Sequence, residues 1–418
     1  MELYIHIPFC IRKCNYCDFL SAPADEKSQI AYVKKLCEEI EYYGHLFGKY
    51  PLDDNHRNEV TSVFIGGGTP SILPLGTVAD IMDCIKKYWG VRQDVEISIE
   101  CNPGTVTMEK LNEYMTSGIN RISFGLQSAD NEELKVLGRI HTYEEFLESF
   151  NMARKIGFTN INIDLMSGLF NQTAESFYNT LEKVVALNPE HISSYSLIIE
   201  EGTPFFDYVM KHEEKGIDVR ILEETDRDIY ALTKKVLKKY GYKRYEISNY
   251  AKPGYECKHN LGYWQGEEYL GLGLGASSYI NIEKDDAGKY VKAIRFKNTE
   301  DMSEYLKRGY GVMLTDKNTY GVINIESKFQ NIIRSNMKEV EDLNKEDLMS
   351  EFMITGLRVC KGIDKKAFLD KFEIGVKEVY GNIIKKYIAT GHLEEDEDYI
   401  RLTDKGIDVS NYILCDFV

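Results

Sequence analysis

No stretch of this 418-residue chain approaches the roughly 18 consecutive apolar residues that a helix needs to cross a bilayer. A membrane-spanning reading is excluded, although peripheral membrane association is not. Positive charge is in deficit as well: 51 Lys and Arg against 67 Asp and Glu leave a formal net charge of −16. Without a positive field, nucleic acid is not expected as a partner. The opening residues, MELYIHIPFC, lack the basic segment, apolar segment and small-residue cleavage site of a secretory signal, which points to the cytoplasm. Internal repeats and low-complexity segments are also missing. What is present suits a globular protein of two or three units, with 43% apolar and 28% charged residues. Nine cysteines is an odd number, and three of them fall within eight positions. That pattern fits reduced thiols and a metal cluster better than a disulfide framework.

Short runs rich in Val, Ile, Tyr and Phe alternate with longer segments of helical period, the signature of a parallel sheet built from βα units. Seven runs are expected as strands: Leu3–Ile7, Thr61–Ile65, Val95–Glu100, Arg121–Phe124, Asn160–Met166, His191–Ile198 and Arg244–Ser248. Helical patterns fall near 25–47, 75–88, 107–117, 143–156, 174–187 and 220–240. The expected fold is α/β, a partial parallel barrel with helices outside. A polar stretch, Asn281–Lys289, suggests a surface connection, so the barrel is placed at 1–280 and a connecting segment at 281–343. Residues 344–418 read as helices followed by a hairpin, with Val376–Thr390 amphipathic, Gly391 at its C-cap and a turn at Glu394–Asp398. That is a winged-helix-like unit whose acidic tip would repel phosphates, and so a structural or docking domain.

The strongest chemical signal is the cysteine trio. Cys10, Cys14 and Cys17 follow the first strand with three and then two residues between them, placing three thiols on one short loop. Three ligands leave a fourth metal position open, where a substrate or cofactor can bind. Ferredoxins use a different spacing and close the site with a fourth cysteine. The competing readings are ordinary core cysteines or a zinc knuckle, for which His6 is the one nearby fourth ligand. Further polar residues sit where strands are expected to end. Gly66, Gly67, Gly68 and Thr69 form either a plain turn or a loop whose main chain can approach a polar ligand closely. Glu100, Gln127, Arg139 and Asp164 follow at or after successive strands; a carboxylate can accept from ribose hydroxyls and an arginine can fork onto a carboxylate. In parallel barrels the C-terminal strand ends carry the reactive groups.

The cysteine spacing, with Tyr16 just before the last cysteine, resembles the radical S-adenosylmethionine (SAM) superfamily. That resemblance implies a [4Fe-4S] cluster held by Cys10, Cys14 and Cys17, an electron donor for it, and SAM chelated by the open iron. In that superfamily SAM is split to methionine and a 5′-deoxyadenosyl radical. The resemblance assigns Tyr4, Tyr16, Gly67, Gly68, Thr69, Glu100, Gln127, Arg139 and Asp164 to SAM. Over nearly the whole chain, segments such as YIHIPFCIRKCNYCDF, FIGGGTPSIL, RISFGLQS and YLGLGLGASSY are similar to the oxygen-independent coproporphyrinogen III oxidase family. That family contains true oxidases, which decarboxylate two propionates, and HemW-type haem chaperones, which pass haem to haem-accepting proteins.

Phe19 stands where the true oxidases carry a fourth cysteine, a departure toward the chaperones. HNLGYW at 259–264 also resembles the chaperones' HNxxYW motif, which implies haem contacts from His259, Asn260, Tyr263 and Trp264. Histidine can ligate iron, and flat aromatic rings suit a flat macrocycle, though most aromatic clusters are core. Cys257 is the competing ligand, and Ser277 replaces a histidine found in many relatives. The expectation is a haem chaperone, with coproporphyrinogen III oxidation, or another radical SAM reaction such as methyl transfer, as the alternatives.

Overall fold

A computed structural model describes residues 1–47, 59–285, 288–310, 333–334 and 337–418. Its first half is a series of βα units: β1 (Glu2–Ile7), α1 (Glu26–Phe47), β2 (Glu59–Gly67), α2 (Thr77–Tyr88), β3 (Gly90–Cys101), α3 (Met108–Thr116), β4 (Arg121–Gln127), α4 (Asn131–Val136), α5 (Tyr143–Ile156), β5 (Ile161–Ser167), α6 (Ala174–Ala186) and β6 (His191–Ser196). The six strands are parallel neighbours in chain order. They match the first six expected runs. The six helical patterns match α1, α2, α3, α5, α6 and α8 (Glu223–Lys239), which follows α7 (Pro204–Glu213). Local signals set the boundaries. Thr142 and Thr173 close capping boxes at the starts of α5 and α6, and Gly157 ends α5 in the left-handed conformation that a side chain would resist.

Alternation along each strand decides which face meets the helices. Leu3, Ile5 and Ile7 of β1 are fully buried and join Val63, Ile65, Ile97, Ile99, Ile122, Ile163 and Ile192 in one core with Leu36, Ile81, Leu111, Phe146 and Leu181 of the helices. The intervening positions are polar: Glu2, Ser62, Glu96, Ser98, Arg121, Ser123, Asn162, His191 and Ser193 are all buried on the opposite face. Hydrogen bonds run between them across the strands, as from Asn162 Nδ2 to the Ser123 hydroxyl (2.7 Å) and from the Ser62 hydroxyl to Glu2 (2.9 Å).

The expected seventh parallel strand at Arg244–Ser248 is not formed. The chain makes β7 (Lys243–Arg244) and β8 (Asn249–Ala251), and β8 runs antiparallel to both β6 and β7. Residues between them turn aside toward the C-terminal unit: Tyr245 O accepts from Cys360 N at 2.8 Å, and Glu246 bridges Val359. Helix α9 (Lys258–Trp264) follows, then β9 (Tyr269–Leu272), which pairs parallel with β1. Strands β10 (Ser277–Lys284), β11 (Tyr290–Lys297) and, after α10 (Met302–Lys307), β12 (Lys338–Leu343) continue antiparallel. Among the described residues the result is a twelve-stranded sheet with edges at β12 and β7, not closed on itself. The polar segment from 281 therefore begins as the second half of β10, and Asp285 N then donates to Lys289 O (2.8 Å). Residues 311–332 of the expected connecting segment lie outside the described residues.

The C-terminal unit packs helices Lys345–Gly356, Lys365–Phe372 and Val376–Ala389 against a three-stranded sheet. Leu348, Met353, Phe368, Phe372, Ile384 and Ile400 form its core. The acidic hairpin is partly neutralised, with Arg401 paired to Glu394 and Asp396, and Lys365 and Lys377 to Glu395. No helix among the described residues is long and apolar enough to cross a membrane. Because Ile99 is fully buried between β3's neighbours and the helices, Ile99→Ala should lower stability by about 2–5 kcal/mol, read as a lower urea midpoint with an unchanged slope.

Candidate functional site

At the C-terminal ends of β1 and β2 two loops are stapled together by main-chain bonds. Gly68 N donates to Ile7 O (2.8 Å) and Thr69 N to Phe9 O (2.7 Å). On its far side the cysteine loop is tied down by Asn15 N to Leu137 O (3.0 Å) and by Arg12 to Gly138 O (2.7 Å). Cys10, Cys14 and Cys17 thus lie on a fixed loop as free, partly exposed thiols. Cys10 Sγ is 3.4 Å from the Thr69 hydroxyl, and Cys14 Sγ accepts from Arg139 at 3.5 Å. Burial pushes the Cys17 thiol up, and its neighbours Cys14 and Cys10 add to the shift.

This donor set fits an iron–sulfur cluster: three thiols on one loop, with a guanidinium against one of them to balance the charge of an anionic metal–thiolate group. His6 does not complete a zinc site. Its Nε2 donates to Leu20 O (2.9 Å), and its Nδ1 accepts from the Tyr4 hydroxyl (3.1 Å), so both ring nitrogens are engaged.

Around the loop the structure gathers most of the residues expected to meet SAM. Arg139 donates to Asn102 Oδ1, Gly125 O (2.6 Å) and Cys14, spanning from β3's end to the cysteines. Tyr16 is held against Arg139, and its hydroxyl is pushed up mainly by burial. Asp164 accepts from the Ser123 hydroxyl (2.9 Å) and Asn162 (2.7 Å). Gln127 adopts a left-handed backbone at the end of β4 (φ 71°), strained for a residue with a side chain, and accepts from the Tyr195 hydroxyl (3.0 Å). Tyr4 stacks on Phe64. The glycines have an additional, internal reason. A Cβ at Gly68 would meet the backbone of Phe9 and Ile7 within 2.9 Å, one at Gly67 the His6 ring at 2.5 Å, and one at Gly66 the Glu100 carboxylate at 2.9 Å. Close approach of the chain to itself already requires them.

Glu100 is the electrostatic centre of this end. Its Oε2 accepts from Gly67 N at 3.0 Å. Loss of solvent, with the Asp164 carboxylate second, pushes its pKa up to about 8 against the pull of Gly67 N–H and Arg121.

The other end of the polar face holds α9. Glu96 accepts from Lys258 N (3.1 Å), His259 N (3.4 Å) and Cys257 Sγ (3.3 Å), fixing the start of that helix to β3. The His259 ring stacks on Phe64 at 5.2 Å and lies 2.8 Å through Nδ1 from the Ser62 hydroxyl, which donates to Glu2. The Ser62 hydroxyl thus links Glu2 to His259 Nδ1, and Nε2 is the ring nitrogen on the side away from it. Burial, then Arg121, lowers its pKa to about 4, so the ring is neutral near pH 7. Cys257 is fully buried, and its thiol is pushed far up, mainly by burial. The motif is split between two directions. His259 turns into the sheet, whereas the Trp264 ring lies under Arg358 of the C-terminal unit (5.3 Å) and Tyr263, 44% exposed, packs on Trp264 and Tyr269. Asn260 is partly exposed between them.

Sequence reading missed Glu2, Ser62, Glu96, Asn102, Ser123, Asn162 and Tyr195, and considered His6 only as a zinc ligand. Their signal was available in alternation: Glu2, Tyr4 and His6 interleave with Leu3, Ile5 and Ile7, which marks the second face of β1 as polar.

A testable consequence follows from Glu100. Its pKa lies above the usual 4.5, so the stability gained from its bound proton is full below about pH 4.5 and is lost as pH rises through 8. Glu100→Gln in the ligand-free chain should remove a loss on the order of a few kcal/mol between pH 5 and 8, seen as a flatter plot of unfolding midpoint against pH. Glu2, also pushed up to about 8 chiefly by burial, adds to the remaining slope along with the raised Glu39 and Glu246, while the lowered His141, His191 and His259 act in the opposite direction. An unchanged plot would contradict the assignment.

Comparison with known proteins agrees with this architecture. Residues 4–184 match the radical SAM superfamily and residues 343–409 the HemN C-terminal domain. The heme chaperone HemW of Lactococcus lactis is 33% identical over 415 residues, 99% of this chain and 96% of that protein. Its counterpart in Escherichia coli is 32% identical over 410 residues, 97% and 95% of the two chains. Among solved structures, the coproporphyrinogen III oxidase HemN of Escherichia coli, a radical SAM enzyme, superposes with a TM-score of 0.76 at 23% identity, covering 100% of this chain and 89% of that one. The likeness to HemN establishes the fold, and identity along almost the full length establishes the lineage: the chain belongs to the HemW family of radical SAM proteins.

Proposed function

We propose that this chain carries haem at α9 and hands it to haem-accepting proteins, with a [4Fe-4S] cluster and SAM at the opposite, cysteine-bearing end of the barrel. The observation that carries the haem reading is His259: a neutral imidazole anchored through Nδ1 to Ser62, so that Nε2 is the ring nitrogen left to meet iron. Cys257 is a poor rival, because a thiolate there would sit fully buried beside the Glu96 carboxylate. The relatives named heme chaperone HemW support the same reading over the whole chain. When bound, a reduced cluster with SAM supplies one-electron chemistry. The chain's part is to hold the cluster through Cys10, Cys14 and Cys17, to balance its charge with Arg139, and to orient SAM among Tyr4, Tyr16, Gly67, Gly68, Thr69, Glu100, Gln127, Arg139 and Asp164. A separate electron donor completes the set.

Oxidation of coproporphyrinogen III is the second reading, favoured by the fold shared with HemN. Against it, the position that carries the oxidases' fourth cysteine is Phe19, a phenyl ring 64% exposed at the edge of the cysteine loop, which offers no thiol. Methyl transfer has only the shared cluster and SAM residues in its favour.

Anaerobic haem titration tests the proposal. The expected outcome is a stable Soret band, shifted or weakened in His259→Ala, retained in Cys257→Ser, and accompanied by no protoporphyrinogen when coproporphyrinogen III, SAM and reductant are supplied. A His259→Ala spectrum and affinity identical to the parent would place haem elsewhere, and turnover would favour the oxidase. For the other end, Cys14→Ser should abolish the brown chromophore and its roughly four irons per chain, whereas Cys360→Ser should leave both. Iron analysis and absorbance near 400 nm read this directly, and a normal cluster in Cys14→Ser would refute the ligand assignment.

A further inference from the structure

Two cysteines far from the barrel mouth face each other across a helix pair. Cys37 lies on α1 and Cys84 on α2, the helices that follow β1 and β2. Cys37 Sγ donates to Asp80 O at 3.8 Å. Asp80 is four residues before Cys84, and helical side chains lean toward the N-terminus, so the Cys84 side chain lies back over that same turn. The two thiols therefore meet at the α1–α2 contact, close enough to shift each other's acidity. Both are partly exposed and both are free. Neither belongs to the cysteine loop or to α9, and nothing in the proposed haem function uses them.

We propose that Cys37 and Cys84 form a reversible redox-modification site, a dithiol that hydrogen peroxide converts to an α1–α2 disulfide. Cys84 is the attacking group: the Cys37 proton is held on the Asp80 carbonyl, which keeps Cys37 a thiol, whereas the contact with Cys37 lowers the pKa of Cys84. The Cys84 thiolate attacks one peroxide oxygen, the O–O bond breaks, and the departing hydroxide takes up a proton to leave as water. Cys84 is then a sulfenic acid. The Cys37 sulfur attacks the Cys84 sulfur, the S–O bond breaks, and the second oxygen leaves as water with the Cys37 proton. Two thiols have lost two electrons, and one peroxide has become two waters. A low-molecular-weight dithiol reverses the change by thiol–disulfide exchange.

The test treats the full-length chain, purified without oxygen, with graded hydrogen peroxide, blocks remaining thiols with N-ethylmaleimide and maps non-reduced peptides by mass spectrometry. The expected result is a linked pair of peptides carrying Cys37 and Cys84, lost on treatment with dithiothreitol. In Cys37→Ser the second step is missing, so dimedone should label Cys84 as sulfenic acid. In Cys84→Ser the first step is missing, and Cys37 should stay fully alkylated by N-ethylmaleimide. The proposal is overturned if both thiols remain alkylated in the folded parent at peroxide levels that oxidise other cysteines. It is equally overturned if the link forms only after the chain is unfolded in urea.

Discussion

The rest of the molecule depends on how β1–β6 divide their side chains between two faces. One face gives the helices an unbroken apolar surface of Leu, Ile, Val and Phe. The other confines carboxylates, hydroxyls, an amide, an imidazole and the Arg121 guanidinium to a space with little water, where an unpaired polar group costs several kcal/mol. Such a face is stable only as a network. Glu96 is satisfied by the first residues of α9, His191 by Asn162 (2.6 Å) and Tyr245 (2.8 Å), and Glu100 by the Gly67 amide. Packing energy comes from outside the barrel, and the interior is left free for chemistry.

That interior has two ends with different characters. At the C-terminal ends of the strands the Gly66–Thr69 loop locks onto the cysteine loop, and Arg139 reaches from the β4 side to Cys14 Sγ. At the other end Glu2, Ser62 and His259 form a short hydrogen-bonded chain closed by α9. Five residue-to-residue steps along β1 carry the chain from Glu2 to Ile7, roughly 16 Å at about 3.3 Å per step. Phe64 links the two ends, its ring stacked with those of both Tyr4 and His259. One sheet thus presents a thiol-rich mouth and an imidazole-bearing floor, and α9 also leans its Trp264 on Arg358 of the C-terminal unit. In the proposed reading a haem at the floor would be bordered by the unit that distinguishes this chain from a bare radical SAM core.

The βα order, six strands and six helices were legible because period-2 and period-3.6 patterns, Gly and capping residues such as Thr142 all agree locally. The cysteine loop was legible for another reason, since its spacing is a chemical signature in its own right. Arg244–Ser248 misled because its composition suits a strand, while its partners, Cys360 and Val359, lie more than a hundred residues away. Nor could composition show that Asn281–Lys284 extends β10, because an edge-proximal antiparallel strand tolerates polar residues on its open side. The inner-face residues were hidden by their ordinariness: Glu2, Ser62 and Asn162 become significant only when register aligns them with His259, Ser123 and His191.

The central claim is that the two ends of one barrel are separate sites. Haem affinity measured anaerobically by titration, with and without saturating SAM, tests it most directly. Two separate sites predict a Soret band that grows with the same dissociation constant in both conditions, whereas displacement of haem by SAM, in proportion to SAM concentration, would contradict the account.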